Sequence, residues 1–119
     1  MNLSELRKDK IFCMAPMVGV SDAPFRSLVL KYGATWASTE MFYSERIVHD
    51  QDYLDQVLPE IDHEFSSSYP SRRLCVQLCG NEPSVLAEAA LIVKDSGRCE
   101  AIELNLGCPQ DRAREGLFG

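Results

Sequence analysis

A chain of 119 residues, 45% hydrophobic and 25% charged, has the composition of a globular domain and enough apolar side chains to bury a core. No apolar run approaches bilayer-spanning length, and residues 1–10 mix acids and bases without a signal-peptide core. The expectation is therefore an intracellular protein, cytoplasmic or nuclear and not secreted. A net charge of −6 excludes a domain whose whole surface grips a polyanion, so an RNA-binding part lies elsewhere or RNA is not the partner.

The first predicted strand covers residues 11–15 and runs into Pro16-Met17-Val18-Gly19-Val20. A helix follows over 23–32: Ser21 or Asp22 can cap it, Pro24 suits its first turn and Gly33 its stop. The second strand is expected at 35–39, with Glu40-Met41 in the loop behind it. Residues 44–51 have the length of a short helix, and 66–71, rich in Ser with Pro70, form a loop. The third strand covers 74–78. The helix over 83–96 begins at Asn81, is rich in Ala, Leu and Glu, and ends at Gly97. The fourth strand covers 101–105.

Repeated β-α order predicts parallel neighbours with right-handed crossovers in one domain. A doubly wound nucleotide-binding sheet needs G-x-G-x-x-G after the first strand, and Pro16 to Val20 lacks that spacing. A barrel needs its functional residues where strands end, and Pro16, Met17, Glu40, Met41, Gln77, Asn105 and Cys108 fall there. The predicted fold class is α/β. Residues 1–119 form about four βα units, the amino-terminal half of a (β/α)8 TIM barrel, truncated after the fourth strand and its loop.

The odd cysteine count, Cys13, Cys75, Cys79, Cys99 and Cys108, argues for reduced thiols. Cys75 and Cys79 flank a strand segment of roughly 13 Å, too long for two thiolates to share one zinc. They read as buried structural thiols, and no metal site is expected.

Asn105-Leu106-Gly107-Cys108-Pro109 is the most informative stretch. Gly107 permits a tight turn, Pro109 stiffens its exit, and Cys108 projects above the strand ends. An ordinary thiol, with a pKa of about 8.5, is protonated near neutrality and can donate. A nucleophilic role needs a neighbouring base, and neither His49 nor His63 lies at a clear strand end. A thiol that merely fills the turn is the third reading. Gln77 interrupts an apolar strand, so its amide serves either a core network or a ring with donors and acceptors. Pro16 and Met17 suit the same ring through a backbone bend and a soft surface, while core packing is the plainer role for Met14 and Met17. Glu40 either orients a substrate or lysine or is a solvated loop acid. Asp22 and Arg26 read as a helix cap and a surface charge, and Arg72-Arg73 and Arg112-x-Arg114 as solvated pairs.

Together these motifs resemble the tRNA-dihydrouridine synthase family. The resemblance rests on Ala15 to Arg26, Thr39-Glu40-Met41, Val76-Gln77-Leu78 and Glu103 to Pro109, in family order and spacing. With Gln110 the last motif most resembles the eukaryotic tRNA-dihydrouridine(16/17) synthase branch. The resemblance implies FMN contacts at Pro16, Met17, Val18 and Gln77, uracil held by Asn105, and Cys108 as proton donor. It implies NADPH or NADH as reductant, hydride passing from flavin N5 to uridine C6 and a proton from the cysteine to C5. The partner is tRNA, at D-loop positions 16/17, with no obligate protein partner, metal or membrane. A complete barrel takes about 250 residues. The family's later lysine, histidine, flavin-phosphate site and helical tRNA-binding part are therefore missing, and strands one and four are left with open edges. On that basis the isolated chain is expected to be inactive. A non-catalytic fragment and another FMN barrel, such as a dihydroorotate dehydrogenase-like or ene-reductase protein, are the alternatives.

Overall fold

Four short apolar runs separated by helical segments fold into one sheet in a computed structural model that describes residues 11–61, 73–97 and 99–119. Residues 1–10, the expected loop at 66–71, His63 and Arg72 lie outside the described residues. The strands are β1 (Cys13–Met14), β2 (Trp36–Tyr43), β3 (Arg73–Cys79) and β4 (Ala101–Leu104). They lie in the order β1-β2-β3-β4, each parallel to its neighbour. Strand order following chain order without reversal is the progression of a barrel wall, whereas doubly wound sheets reverse at a switch point. The α/β class and the partial barrel are as expected.

Helix α1 (Ala23–Lys31) starts where Asp22 accepts the Phe25 N–H at 2.9 Å and stops before Gly33, which sits at φ +111°. A side chain disfavours that left-handed turn, so glycine ends the helix cleanly. Helix α4 (Pro83–Asp95) likewise ends before Gly97 at φ +68°. Its start differs from expectation: the cap position is Glu82, not Asn81, and no side chain caps it.

Two larger differences fall between the second and third strands. β2 continues to Tyr43, four residues past its expected end, because Met41, Phe42 and Tyr43 pair with Gln77, Leu78 and Cys79. Between Ser38 and Met41 the register slips, with Thr39 and Glu40 both opposite Val76, a β-bulge. Glu40 and Met41 therefore belong to the strand, not to a loop. The expected single helix over 44–51 is instead α2 (Ser44–His49), followed by α3 (Gln51–Glu60). Asp50 separates them in an extended conformation, and its carboxylate accepts the Tyr53 N–H at 3.0 Å to start the second. A short helix α5 (Asp111–Glu115) follows the fourth strand.

Along β3, Leu74, Val76 and Leu78 join Phe42, Ile47, Val57, Ile61, Ala89 and Val93 in the core between sheet and helices. Strand alternation turns Cys75, Gln77 and Cys79 to the opposite, inner face, where they too are buried. β1 and β4 are the sheet edges, and Ile102 (37% exposed) and Leu104 (47%) leave an open apolar strip on β4. Among the described residues no helix is long and apolar enough to cross a membrane.

Arg26 corrects an expectation. It is 2% exposed, not a surface charge. Its Nη1 donates to the Ser21 carbonyl at 2.6 Å, its Nη2 to the Glu60 carbonyl, and the Glu60 carboxylate lies 3.9 Å away. Burial lowers its pKa, against the opposing pull of Glu60, Asp22 and Glu40. The partner element is α3, which sequence patterning did not foresee. The same Glu60 carboxylate accepts the Ala23 N–H at 3.1 Å, so α3 caps α1.

Candidate active site

The strand ends converge on a pocket of about 380 Å³. Of the residues singled out in the sequence, Pro16, Met17, Val18, Met41, Gln77, Asn105 and Cys108 line it and Glu40 does not; Pro109 and Gln110 complete the wall. β1, β2, β3 and β4 each contribute through their carboxyl ends or the loops that follow, the end of a barrel where ligands are handled.

The loop after β1 is closed on itself. Ser21 Oγ accepts the Met17 N–H at 2.9 Å and donates to the Met17 carbonyl at 3.0 Å. That carbonyl also accepts the Val20 and Ser21 N–H groups, at 3.1 and 2.9 Å. Gly19, at φ +74°, donates its N–H to Glu40 Oε2 at 2.7 Å. Glu40 is therefore not a solvated loop acid: it lies in β2, and its carboxylate anchors the loop after β1. The chain turns at Val18 to Val20, and the Met17 N–H is engaged by Ser21.

Gln77, 7% exposed, lies on β3 opposite Glu103 of β4. Its backbone N–H donates to Thr39 Oγ1 at 3.1 Å, filling the gap left by the bulge. Its side-chain Nε2 donates to Glu103 Oε1 at 3.0 Å, and its Oε1 accepts from Asn105 Nδ2 at 3.1 Å. Asn105 Oδ1 in turn accepts the Gly107 and Cys108 N–H groups, at 3.2 and 3.1 Å. The Cys108 turn is therefore wound around one amide, with the thiol half-buried at the pocket wall. Gln77 joins a buried network and also borders the pocket.

Thr39 and Glu103 are the site-supporting residues that sequence patterning missed. A signal was present for Glu103: an acid amid Ala101, Ile102 and Leu104 breaks an apolar strand, as Gln77 does in β3. The inner-face thiols next to the site are suppressed. Burial, then the negative charge of the Glu103 carboxylate, pushes the Cys75 thiol up to about 12. Burial, then Cys108, pushes Cys79 up to about 12. Both are buried structural thiols. His49 is exposed on α2 beside Glu45 and is not among the pocket-lining residues.

Comparison with known proteins is consistent with this site. The sequence model of the dihydrouridine synthase family matches residues 13–119. The tRNA-dihydrouridine(16/17) synthase [NAD(P)(+)] of Saccharomyces cerevisiae is 39% identical over 106 residues, covering 89% of this chain and 24% of the yeast protein. The tRNA-dihydrouridine(16/17) synthase [NAD(P)(+)]-like protein of Rattus norvegicus is 38% identical over 111 residues, 89% of this chain and 23% of that protein. The tRNA-dihydrouridine synthase B of Vibrio vulnificus is 36% identical over 112 residues, 94% of this chain and 32% of that protein. The chain thus spans about a quarter to a third of these curated relatives. With the family model covering all but the first residues and the predicted site residues gathered in one pocket, this chain belongs to the dihydrouridine synthase family.

Proposed function

We propose that residues 1–119 are the first four βα units of an FMN-binding catalytic barrel that reduces uridine to 5,6-dihydrouridine in tRNA, at D-loop positions 16/17. The observation that carries this reading is the convergence of Pro16, Met17, Val18, Gln77, Asn105 and Cys108 on one pocket at the strand ends. The lining suits a planar ring with polar edges: Met17, Met41 and Pro16 offer apolar surface, and Gln77 and Asn105 offer oriented amides. Pro16, Met17, Val18 and Gln77 would hold FMN there, and the flavin, with NADPH or NADH as reductant, would supply hydride for uridine C6.

The protein orients the reactants and supplies the proton. The loop at 16–18 and Gln77 would hold the flavin ring. Asn105, held by Gln77 at one end and by the turn at the other, borders the uracil position. Cys108 Sγ–H donates its proton to C5, and the thiolate left behind recovers one from water. Hydride and proton together complete the two-electron reduction. Four strands are half of an eight-stranded wall, so the isolated chain is expected to hold FMN weakly and to reduce no tRNA. The RNA-binding surface then lies elsewhere in the full protein, consistent with a net charge of −6 on this part.

The test is a transient-kinetic comparison in the flavin-loaded enzyme that carries this chain. Cys108→Ala slows uridine reduction by roughly 10²–10⁴-fold, the range for loss of a general acid, and leaves flavin reduction by NADPH unchanged. Equal slowing of both steps rules out Cys108 as the donor.

A further inference from the structure

The hydrogen bonds beneath the pocket all run in one direction. Gly107 and Cys108 N–H donate to Asn105 Oδ1, Asn105 Nδ2 to Gln77 Oε1, and Gln77 Nε2 to Glu103 Oε1. A side-chain amide is nearly symmetric in shape, so only its partners decide which end is oxygen and which nitrogen. Backbone N–H groups only donate, and an ionised carboxylate only accepts. Two amides strung between those ends have one self-consistent arrangement. Turning over Gln77 alone sets oxygen against the Glu103 carboxylate and nitrogen against Asn105 Nδ2, converting both hydrogen bonds into repulsive contacts.

We propose that Glu103 is a positioning residue: its carboxylate sets the orientation of the Gln77 amide and, through Asn105, the conformation of the Cys108 turn. Glu103 is absent from the pocket lining, so it acts through its neighbour and not on a ligand. Backbone pairing of Gln77 with Glu103 places the two side chains on one face of adjacent strands, within reach across the sheet. The consequence for catalysis rests on the flavin and uracil reading above; the orienting role does not.

The test therefore begins without flavin, on isotope-labelled chain. Scalar couplings across hydrogen bonds are expected from Gln77 Nε2 to the Glu103 carboxyl carbon and from Asn105 Nδ2 to the Gln77 amide carbon. Their absence in the wild-type chain overturns the proposal even if every variant fails to fold. Glu103→Leu is expected to shift the Gly107 and Cys108 backbone amide signals. The same substitution in a Gln77→Leu background is expected to add no further shift there, because the route is already cut. Unmoved signals, or an equal shift in both backgrounds, also overturn it. In the flavin-loaded enzyme, Glu103→Leu is expected to slow uridine reduction tenfold or more, by an order-of-magnitude estimate for a displaced catalytic group, without slowing flavin reduction. Glu103→Gln, which keeps an acceptor oxygen, is expected to recover part of the loss. A wild-type enzyme that binds no FMN defeats the flavin reading and leaves the coupling result standing.

Discussion

Replacing Arg26 by Met removes a buried cation while keeping most of its apolar stem. The wild-type guanidinium donates to the carbonyls of Ser21 and Glu60 and so ties the start of α1 to the end of α3. A hydrogen bond from a charged donor contributes about 1.5–3 kcal/mol net, so two give roughly 3–6 kcal/mol. Methionine avoids the cost of desolvating a charge, which offsets a few kcal/mol of that loss. Arg26→Met is then expected to destabilise by about 2–4 kcal/mol, lowering the melting temperature by on the order of 10 °C for a chain of this length. Glu60→Gln is the contrast. Its carboxylate is 44% exposed and 3.9 Å from the guanidinium, so the ion pair is worth about 1 kcal/mol or less, and the amide oxygen can still accept the Ala23 N–H. The assay is urea unfolding, with hydrogen exchange at Met17, Val20 and Ser21. Those amides close the pocket loop through Ser21 and are expected to exchange faster in Arg26→Met. A wild-type unfolding midpoint for Arg26→Met, or an equal loss in Glu60→Gln, refutes this account of the buried charge.

Two further outcomes follow from the same geometry. At pH 8, alkylation read by peptide mass spectrometry is expected to reach exposed Cys13 first and half-buried Cys108 next. Cys75 and Cys79, buried and pushed up to about 12, are expected to react last, and early labelling of Cys79 contradicts its placement. The Asp50 carboxyl is held below the ordinary range, first by the Tyr53 N–H and then by Arg46. A carboxylate depressed in the folded state stabilises above its unfolded value of about 3.9 and loses that contribution as pH falls through the folded value. The stability gap between wild type and Asp50→Ala should therefore hold at neutral pH and narrow below about pH 4. A gap that widens on acidification has the wrong sign.

Much of the fold is legible where local chemistry decides the structure. Helices α1 and α4 are framed by prolines in their first turns and by Gly33 and Gly97 just beyond their ends, which need no tertiary partner to be recognised. The gathering of functional residues at strand ends follows from strand order alone. The remainder depends on contacts between distant residues. Thr39 and Glu40 hide the continuation of β2 because a polar pair resembles a strand terminus. The bulge instead uses one hydroxyl to take the Gln77 N–H and one carboxylate to take the Gly19 N–H. Helix α3 is hidden behind Asp50, and with it the Glu60 carbonyl that the buried Arg26 meets.

The site shows the same division. Gln77, Asn105 and Cys108 stand out because each is chemically unusual for its position, and their convergence needs only parallel strands. Glu103 stands out equally as an acid in a short strand, yet its partner is 26 residues away in sequence and becomes visible only through the β3–β4 register. The orienting contacts, Glu40 to the first loop, Thr39 to β3 and Glu103 through Gln77 and Asn105 to the turn, all close within the four strands and their loops. Positioning of the proposed proton donor is therefore a local property of these four strands. A loss of activity caused by Glu103→Leu should track the Cys108 turn and not the grip on a distant flavin phosphate, so the variant should affect uridine reduction before it affects flavin affinity.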